Sequence, residues 1–264
     1  MIKFIAIVLF LYFFIGLILY FAQRKLTFNT SGKPNNPQSY GLNGVVERYI
    51  KVSDDVSLLN WLSMPKNNKP IIIYFHGNSF DIGERAYRIK NYIDRGYGVL
   101  LNSYRGFSGN AGNPAENLLY SDSQKVVEWL KKKLSINEGN IILYGESLGT
   151  GVVVELAQKK LYKSVILEAP FTSVSDVAQK MYPIYPVKYL TWDKFDNLSK
   201  INNLISPLLV IHGKKDEVVP FKMGKKIFDK YNNKKHNVFI DEAMHNNLYE
   251  YGIANNIIEF INKY

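Results

Sequence analysis

Ser147 stands in Gly145-Glu146-Ser147-Leu148-Gly149, directly after the apolar run Ile141 to Tyr144 and ahead of a helical stretch from Thr150 to Lys160. A serine on a sharp turn between strand and helix has its hydroxyl clear of the sheet, with the helix N-terminus pointing at it. The flanking glycines permit that turn, because they carry no Cβ to obstruct it. The chemistry open to such a serine is nucleophilic attack on an acyl carbon. That reaction needs a base, an acid to orient the base, and amide donors for the oxyanion.

His76, His212, His236 and His245 are the candidate bases. His76 and His212 each precede a glycine at a strand end, which suits a backbone role. His236 follows a lysine-rich turn and reads as surface. His245 lies in Asp241-Glu242-Ala243-Met244-His245-Asn246-Asn247, between the last strand and the last helix. In a parallel sheet such a loop returns to the edge where the serine sits, so His245 is the expected base. The orienting acid is expected at Asp216, in the turn after Leu208 to Ile211. Glu217 is its competitor and Glu168 a weaker alternative. The order serine, acid, histidine is that of a strand–turn–helix nucleophile. The oxyanion donors are expected to be the amides of Leu148, just past the serine, and of Asn78, in the loop His76-Gly77-Asn78.

The elements that must position these groups alternate along the chain. Val45 to Val52 and Val56 to Met64 read as an entry hairpin around Ser53-Asp54-Asp55. Strands follow at Ile71 to Phe75, Tyr97 to Leu101, Ile141 to Tyr144, Ser164 to Leu167, Leu208 to Ile211 and His236 to Ile240. Helical spacing covers Glu84 to Arg95, the stretch up to Leu134, Phe221 to Tyr231 and Leu248 to Tyr264. Asn113-Pro114-Ala115-Glu116 reads as a helix start, with Asn as N-cap and Glu reaching back. Such alternation predicts an α/β fold, a mostly parallel sheet flanked by helices. Residues 171–206 break the rhythm and are rich in aromatic and apolar side chains, so they read as a small lid insert.

Phe4 to Ala22 carries no charge, and about 20 apolar residues suffice to cross a bilayer as a helix. Nothing resembling a cleavage site precedes Arg24, so residues 1–25 are expected to be a single-pass transmembrane anchor. Basic residues flank it on both sides. A short tail before a long domain fits a signal anchor with the domain exported. Residues 26–44 read as a linker and 45–264 as the catalytic domain. Asn29-Thr30-Ser31 and Asn197-Leu198-Ser199 match the glycosylation tripeptide.

Five segments taken together resemble the α/β-hydrolase superfamily: Tyr74-Phe75-His76-Gly77-Asn78, Tyr104 to Gly109, Gly145 to Gly149, Asp216 to Pro220 and His245-Asn246. They are similar to a membrane-anchored, serine-aminopeptidase-like branch, some members of which remove acyl groups from proteins. The resemblance runs from Val45 to the C-terminus, plus the anchor. It implies the α/β-hydrolase fold and a catalytic triad. Ala243 stands where a glycine is common, and Asn102 where an aspartate often precedes the Tyr-Arg-Gly turn.

The composition narrows the function. The chain of 264 residues has no cysteine, which excludes disulfides, thiolate catalysis and palmitoylation of this chain. Its net charge of +10 comes from dispersed lysines with no nucleic-acid motif, so no nucleic-acid partner is expected. No metal-ligand cluster or phosphate loop appears, and no cofactor is expected. Arg105 reads as a structural arginine rather than an anion site. The leading expectation is a serine hydrolase acting on an acyl ester or thioester through an acyl-enzyme on Ser147. The alternatives are a serine peptidase with the same triad, and a membrane-tethered binding protein on a hydrolase fold.

Overall fold

A computed structural model describes all 264 residues. In chain order the elements are α1 (Ile2–Thr27), β1 (Val46–Lys51), β2 (Ser57–Ser63), β3 (Ile71–Phe75), α2 (Ala86–Ile93) and β4 (Gly98–Asn102). There follow α3 (Glu116–Leu134), β5 (Ile141–Glu146), α4 (Leu148–Leu156), β6 (Ser164–Glu168), α5 (Val174–Met181), α6 (Val187–Leu190) and α7 (Asn197–Lys200). The chain closes with β7 (Leu208–Gly213), α8 (Phe221–Lys230), β8 (Lys235–Ile240) and α9 (Ile253–Lys263).

The strands form one eight-stranded sheet in the order β1-β2-β4-β3-β5-β6-β7-β8. β1 and β2 form the antiparallel hairpin, β2 pairs antiparallel with β4, and every pairing from β4 through β8 is parallel. The central strands are continuous apolar runs because both faces are covered. Ile71, Ile73 and Phe75 face a core shared with α3, α4 and α8. Ile72 and Tyr74 face the opposite core, built with α2 and α9. The sheet thus aligns the carboxyl ends of β3, β5, β6 and β7, from which the candidate site projects.

Several local expectations change. The helix read to start at Asn113 begins at Glu116, and its first free amide is bonded by a distant residue: Glu116 N–H donates to Asp193 Oδ1 at 2.8 Å. The final helix is interrupted. Leu248–Tyr251 forms a 3₁₀ turn, Gly252 takes φ 73°, and α9 starts anew. Residues 26–44 are not a free tether. Leu26 and Thr27 complete α1, while Phe28 and Leu42 are buried in the two cores. The Pro and Gly content shapes turns there, but the apolar residues between them still find the core. Asn197 is also buried, so its tripeptide is no glycosylation acceptor in the folded chain.

The segment 171–206 holds α5, α6 and α7. It leans on α1: Tyr12 stacks on Tyr185 with ring centroids 4.7 Å apart, and Tyr20 meets Trp192 edge-on at 5.2 Å. No residue of α1 is fully buried, and the helix has 26 residues with an 18-residue stretch of mean hydropathy 2.8, enough to cross a membrane.

Candidate active site

The geometry around Ser147 follows from steric exclusion. Ser147 sits at φ 49°, ψ −112°, a conformation rarely open to a side chain with a Cβ. A Cβ on Gly145 would lie 2.6 Å from the Gly149 carbonyl oxygen, and one on Gly149 would lie 2.0 Å from the Phe75 oxygen. The turn therefore closes only with glycine at both places. Ser147 N–H donates to Glu168 O at 2.8 Å, which fastens the turn to β6. The following helix α4 begins at Leu148, two residues before the expected start, so its positive end faces the serine.

His245 and Asp216 converge on this serine. Nε2 of His245 lies 3.1 Å from Ser147 Oγ, and its Nδ1 lies 2.7 Å from Asp216 Oδ2. The loop carrying His245 is held against the end of β7. Lys215 N–H donates to Ala243 O at 3.0 Å, and a Cβ on Gly213 would lie 2.2 Å from that oxygen. Ala243 fits there fully buried, so the glycine common at this place is not required. Asp216 Oδ1 accepts the amides of Val218 and Val219 at 2.9 and 2.8 Å. Burial pushes the Asp216 carboxyl up. The hydrogen bonds from His212 and His245, with the charge of His245, outweigh it and hold the group well below the usual carboxylate range. Glu217 is exposed and makes no hydrogen bond to His245, whose Nδ1 is taken by Asp216.

The loop after β3 supplies the remaining candidates. His76 is fully buried, and its Nδ1–H donates to Gly77 O at 2.7 Å. Gly77 C=O and Asn78 N–H belong to one planar peptide, so fixing the carbonyl sets the amide to the opposite side. The amides of both Asn78 and Leu148 have no acceptor within the protein. Burial, reinforced by the nearby Arg85 charge, lowers the His76 pKa to about 3, so the ring is neutral. The pocket above Ser147 has a volume of about 320 Å³ and is lined in part by Gly77, Asn78, Phe80, Val218 and His245.

Sequence reasoning missed the charged cluster beneath this pocket. Arg85 holds Glu146 through two contacts of 2.8 and 3.1 Å, and Arg88 binds Glu168 at 2.9 Å and Glu146 at 3.4 Å. Tyr74 donates to Glu146 at 2.9 Å and Tyr144 to Glu168 at 2.5 Å. Burial alone would raise the pKa of Glu146, but the Arg85 and Arg88 charges bring it well below the usual range. For Glu168, burial prevails and the pKa rises. Arg85 also donates to Ser79 O at 2.9 Å, tying the Asn78 loop to the residue before Ser147. The available signal was two acids at the ends of buried strands, which burial forces to find cations. Glu168, the weaker candidate for the orienting acid, is thus occupied by Arg88. Arg105 pairs with Asp122 at 2.6 and 2.7 Å, in keeping with a structural role. Asn102 is buried and leaves the Tyr-Arg-Gly turn to Asn110, whose Nδ2 donates to Tyr104 O at 2.9 Å.

A serine on this turn, at the carboxyl edge of such a sheet, defines an α/β-hydrolase, and a serine hydrolase in general class. The sequence pattern of the prolyl oligopeptidase family matches residues 86–247, and the chain belongs to that family. It is similar to an uncharacterised protein of Mycobacterium tuberculosis, with 30% identity over 226 residues, 85% of this chain and 80% of that protein. It is 33% identical to human alpha/beta hydrolase domain-containing protein 17B over 70% of this chain and 64% of that protein. It is 29% identical to the rat lysophosphatidylserine lipase ABHD12 over 73% of this chain, but spans only 58% of that protein. Among solved structures, an esterase from Pyrococcus furiosus superposes with a TM-score of 0.73 at 18% identity, over 90% of this chain and 99% of that one. A Thermogutta terrifontis esterase with bound butyrate superposes at 0.68 and 15% identity, over 84% and 94%. At such identities these two show the shared fold.

Proposed function

We propose that the protein hydrolyses carboxylic esters or thioesters through an acyl-enzyme on Ser147, with α1 as a membrane anchor. The observation that carries the reading is the hydrogen-bond chain from Ser147 Oγ through His245 to Asp216, at 3.1 and 2.7 Å. His245 Nε2 takes the hydroxyl proton as Ser147 attacks the carbonyl. Asp216 keeps the proton of the other ring nitrogen in place and stabilises the imidazolium that forms. The amides of Leu148 and Asn78 hold the oxyanion, and loss of one such donor typically costs about 3 kcal/mol of barrier. His245 returns its proton to the leaving group, then activates the water that releases the acid.

Ester or thioester cleavage is favoured over aminopeptidase action by the state of the nearby acids. Glu146 and Glu168 are taken up by arginines, so neither is free to hold a substrate ammonium group. Glu84, exposed at the pocket rim, is the remaining acid. Turnover of p-nitrophenyl esters, acyl thioesters and aminoacyl amides should be compared in wild type, Ser147→Ala and Glu84→Gln. The reading expects ester or thioester cleavage that vanishes in Ser147→Ala and persists in Glu84→Gln. Preferred cleavage of aminoacyl amides that collapses in Glu84→Gln would replace it with the peptidase reading.

A further inference from the structure

A second cavity of about 400 Å³, larger than the one over Ser147, lies between α1 and the lid insert. Its walls are mostly apolar; Phe13, Leu17 and Leu26 of α1 face Val174, Ala178 and Val187 of the insert. The volume lies within the range of about 300–1,000 Å³ that small-molecule sites occupy.

Its position connects it to the chemistry. The lining includes Thr27, whose carbonyl accepts from Asn78 Nδ2 at 3.2 Å, and Asn29 N–H donates to Asn78 O at 3.0 Å. The end of the groove therefore lies one hydrogen bond from the residue whose amide serves the oxyanion. From Thr27 the lining runs back along α1 to Tyr12, about 22 Å at 1.5 Å per residue. That length exceeds one leaflet of a hydrocarbon core about 30 Å thick.

The insert is also built for a lipid environment. Met181, Ile184, Tyr189 and Leu190 are exposed beside the exposed apolar surface of α1. Carbonyl groups in the irregular turn after α5 are satisfied internally: Gln179 Nε2 donates to Tyr185 O at 2.9 Å, and Tyr12 OH donates to Ile184 O at 2.9 Å. Non-helical backbone at membrane depth needs such partners. Arg24 bonds Asp193 at 2.9 Å and lies 5.4 Å from the Trp192 ring centroid, an aromatic and charged girdle suited to the interface.

We infer that the groove between the anchor and the insert is an acyl-chain site, which takes one long saturated chain of a membrane-resident ester or thioester and delivers its carbonyl to Ser147. This deepens the reading of Ser147 and rests on it. The anchor is then a wall of the substrate site as well as a tether.

The test uses the full-length protein in phosphatidylcholine nanodiscs and two bulky variants from opposite walls, Ala178→Trp and Leu17→Trp. The first readout is photo-crosslinking by a diazirine-bearing palmitate analogue, mapped by mass spectrometry, which requires no catalysis. Crosslinks at Val174, Ala178 and Val187 are expected in wild type and lost in the variants, while labelling of the outer face of α1 at Phe10 and Phe14 persists. The second readout is kcat/KM for palmitoyl against butyryl esters. Their ratio is expected to favour palmitoyl in wild type and to fall at least about tenfold in either variant. Labelling of the insert that the tryptophans leave unchanged, crosslinked dimers through the groove, or an unchanged ratio would overturn the acyl-chain site. Failure of the catalytic reading looks different: no ester is turned over, or Ser147→Ala retains turnover, while the groove crosslinks stand or fall independently.

Discussion

Replacing Asp216 by asparagine perturbs the candidate site through a single proton, and the hydrogen bonds fix the outcome. Oδ1 of Asp216 accepts two backbone amides, those of Val218 and Val219, at 2.9 and 2.8 Å. In Asp216→Asn those donors hold the amide oxygen in that place, so the NH2 group takes the position of Oδ2. It then faces Nδ1 of His245, which must accept, and the ring proton moves to Nε2. An Nε2–H that sits 3.1 Å from Ser147 Oγ cannot take the hydroxyl proton. The expected loss in kcat is about 10⁴-fold, or about 5.5 kcal/mol of barrier. KM should change little, because Asp216 contacts the histidine rather than the substrate. The same NH2 group lies against Nε2 of His212, 3.2 Å from the present Oδ2. That nitrogen already donates to Val219 O at 2.9 Å, so two donors oppose each other in a buried place. A further loss of about 1–3 kcal/mol of stability follows. Steady-state kinetics on a p-nitrophenyl ester and thermal melting by circular dichroism measure both effects, with Glu217→Gln as the exposed control. A kcat for Asp216→Asn within about tenfold of wild type would refute the tautomer argument.

Other expectations follow from the residues around the pocket. Arg88→Met removes the cation that Glu168 and Glu146 share, and chemical denaturation should register a loss of about 3–5 kcal/mol. The double variant Arg88→Met/Glu168→Leu, which removes one buried charge with its partner, should recover part of it; no recovery would mean that packing rather than charge explains the loss. His76 gives a pH dependence. Its folded pKa of about 3 lies below the unfolded value near 6.5, so the unfolded chain binds the extra proton as pH falls. This contribution is fully present above pH 6.5 and is lost progressively towards pH 3. The loss reaches about 2 kcal/mol at pH 5, so the unfolding free energy of wild type should fall by that amount relative to that of His76→Phe between about pH 7 and pH 5. A parallel pair of curves would show that His76 titrates normally. The same variant releases the Gly77 carbonyl, so its kcat should fall towards the cost of one oxyanion donor, about 10²–10³.

The parts legible in the sequence are those in which chemistry and local conformation coincide. The glycines around Ser147 are readable because only they fit the turn, and the strand before it is a run too apolar for any surface. His245 and Asp216 are readable because strand-end loops of a parallel sheet collect at one edge. What escaped was non-local. Asp193 bonds the start of α3 from 77 residues away, and no spacing rule reaches that far. Arg85 and Arg88 read as an ordinary charged helix face until the sheet brings Glu146 and Glu168 beneath them. The segment 26–44 has the composition of a linker, yet Phe28 and Leu42 bury in the cores. The insert's aromatic residues were visible, but their partner, α1, lies more than 150 residues earlier in the chain.

The central claim is that Ser147 is the nucleophile, and covalent capture tests it most directly. The full-length protein should be treated with an alkyl fluorophosphonate and the modified peptide identified by mass spectrometry. The account predicts stoichiometric modification of Ser147, absent in Ser147→Ala and strongly slowed in His245→Gln. Modification of a different residue, or labelling that persists undiminished in Ser147→Ala, would contradict it.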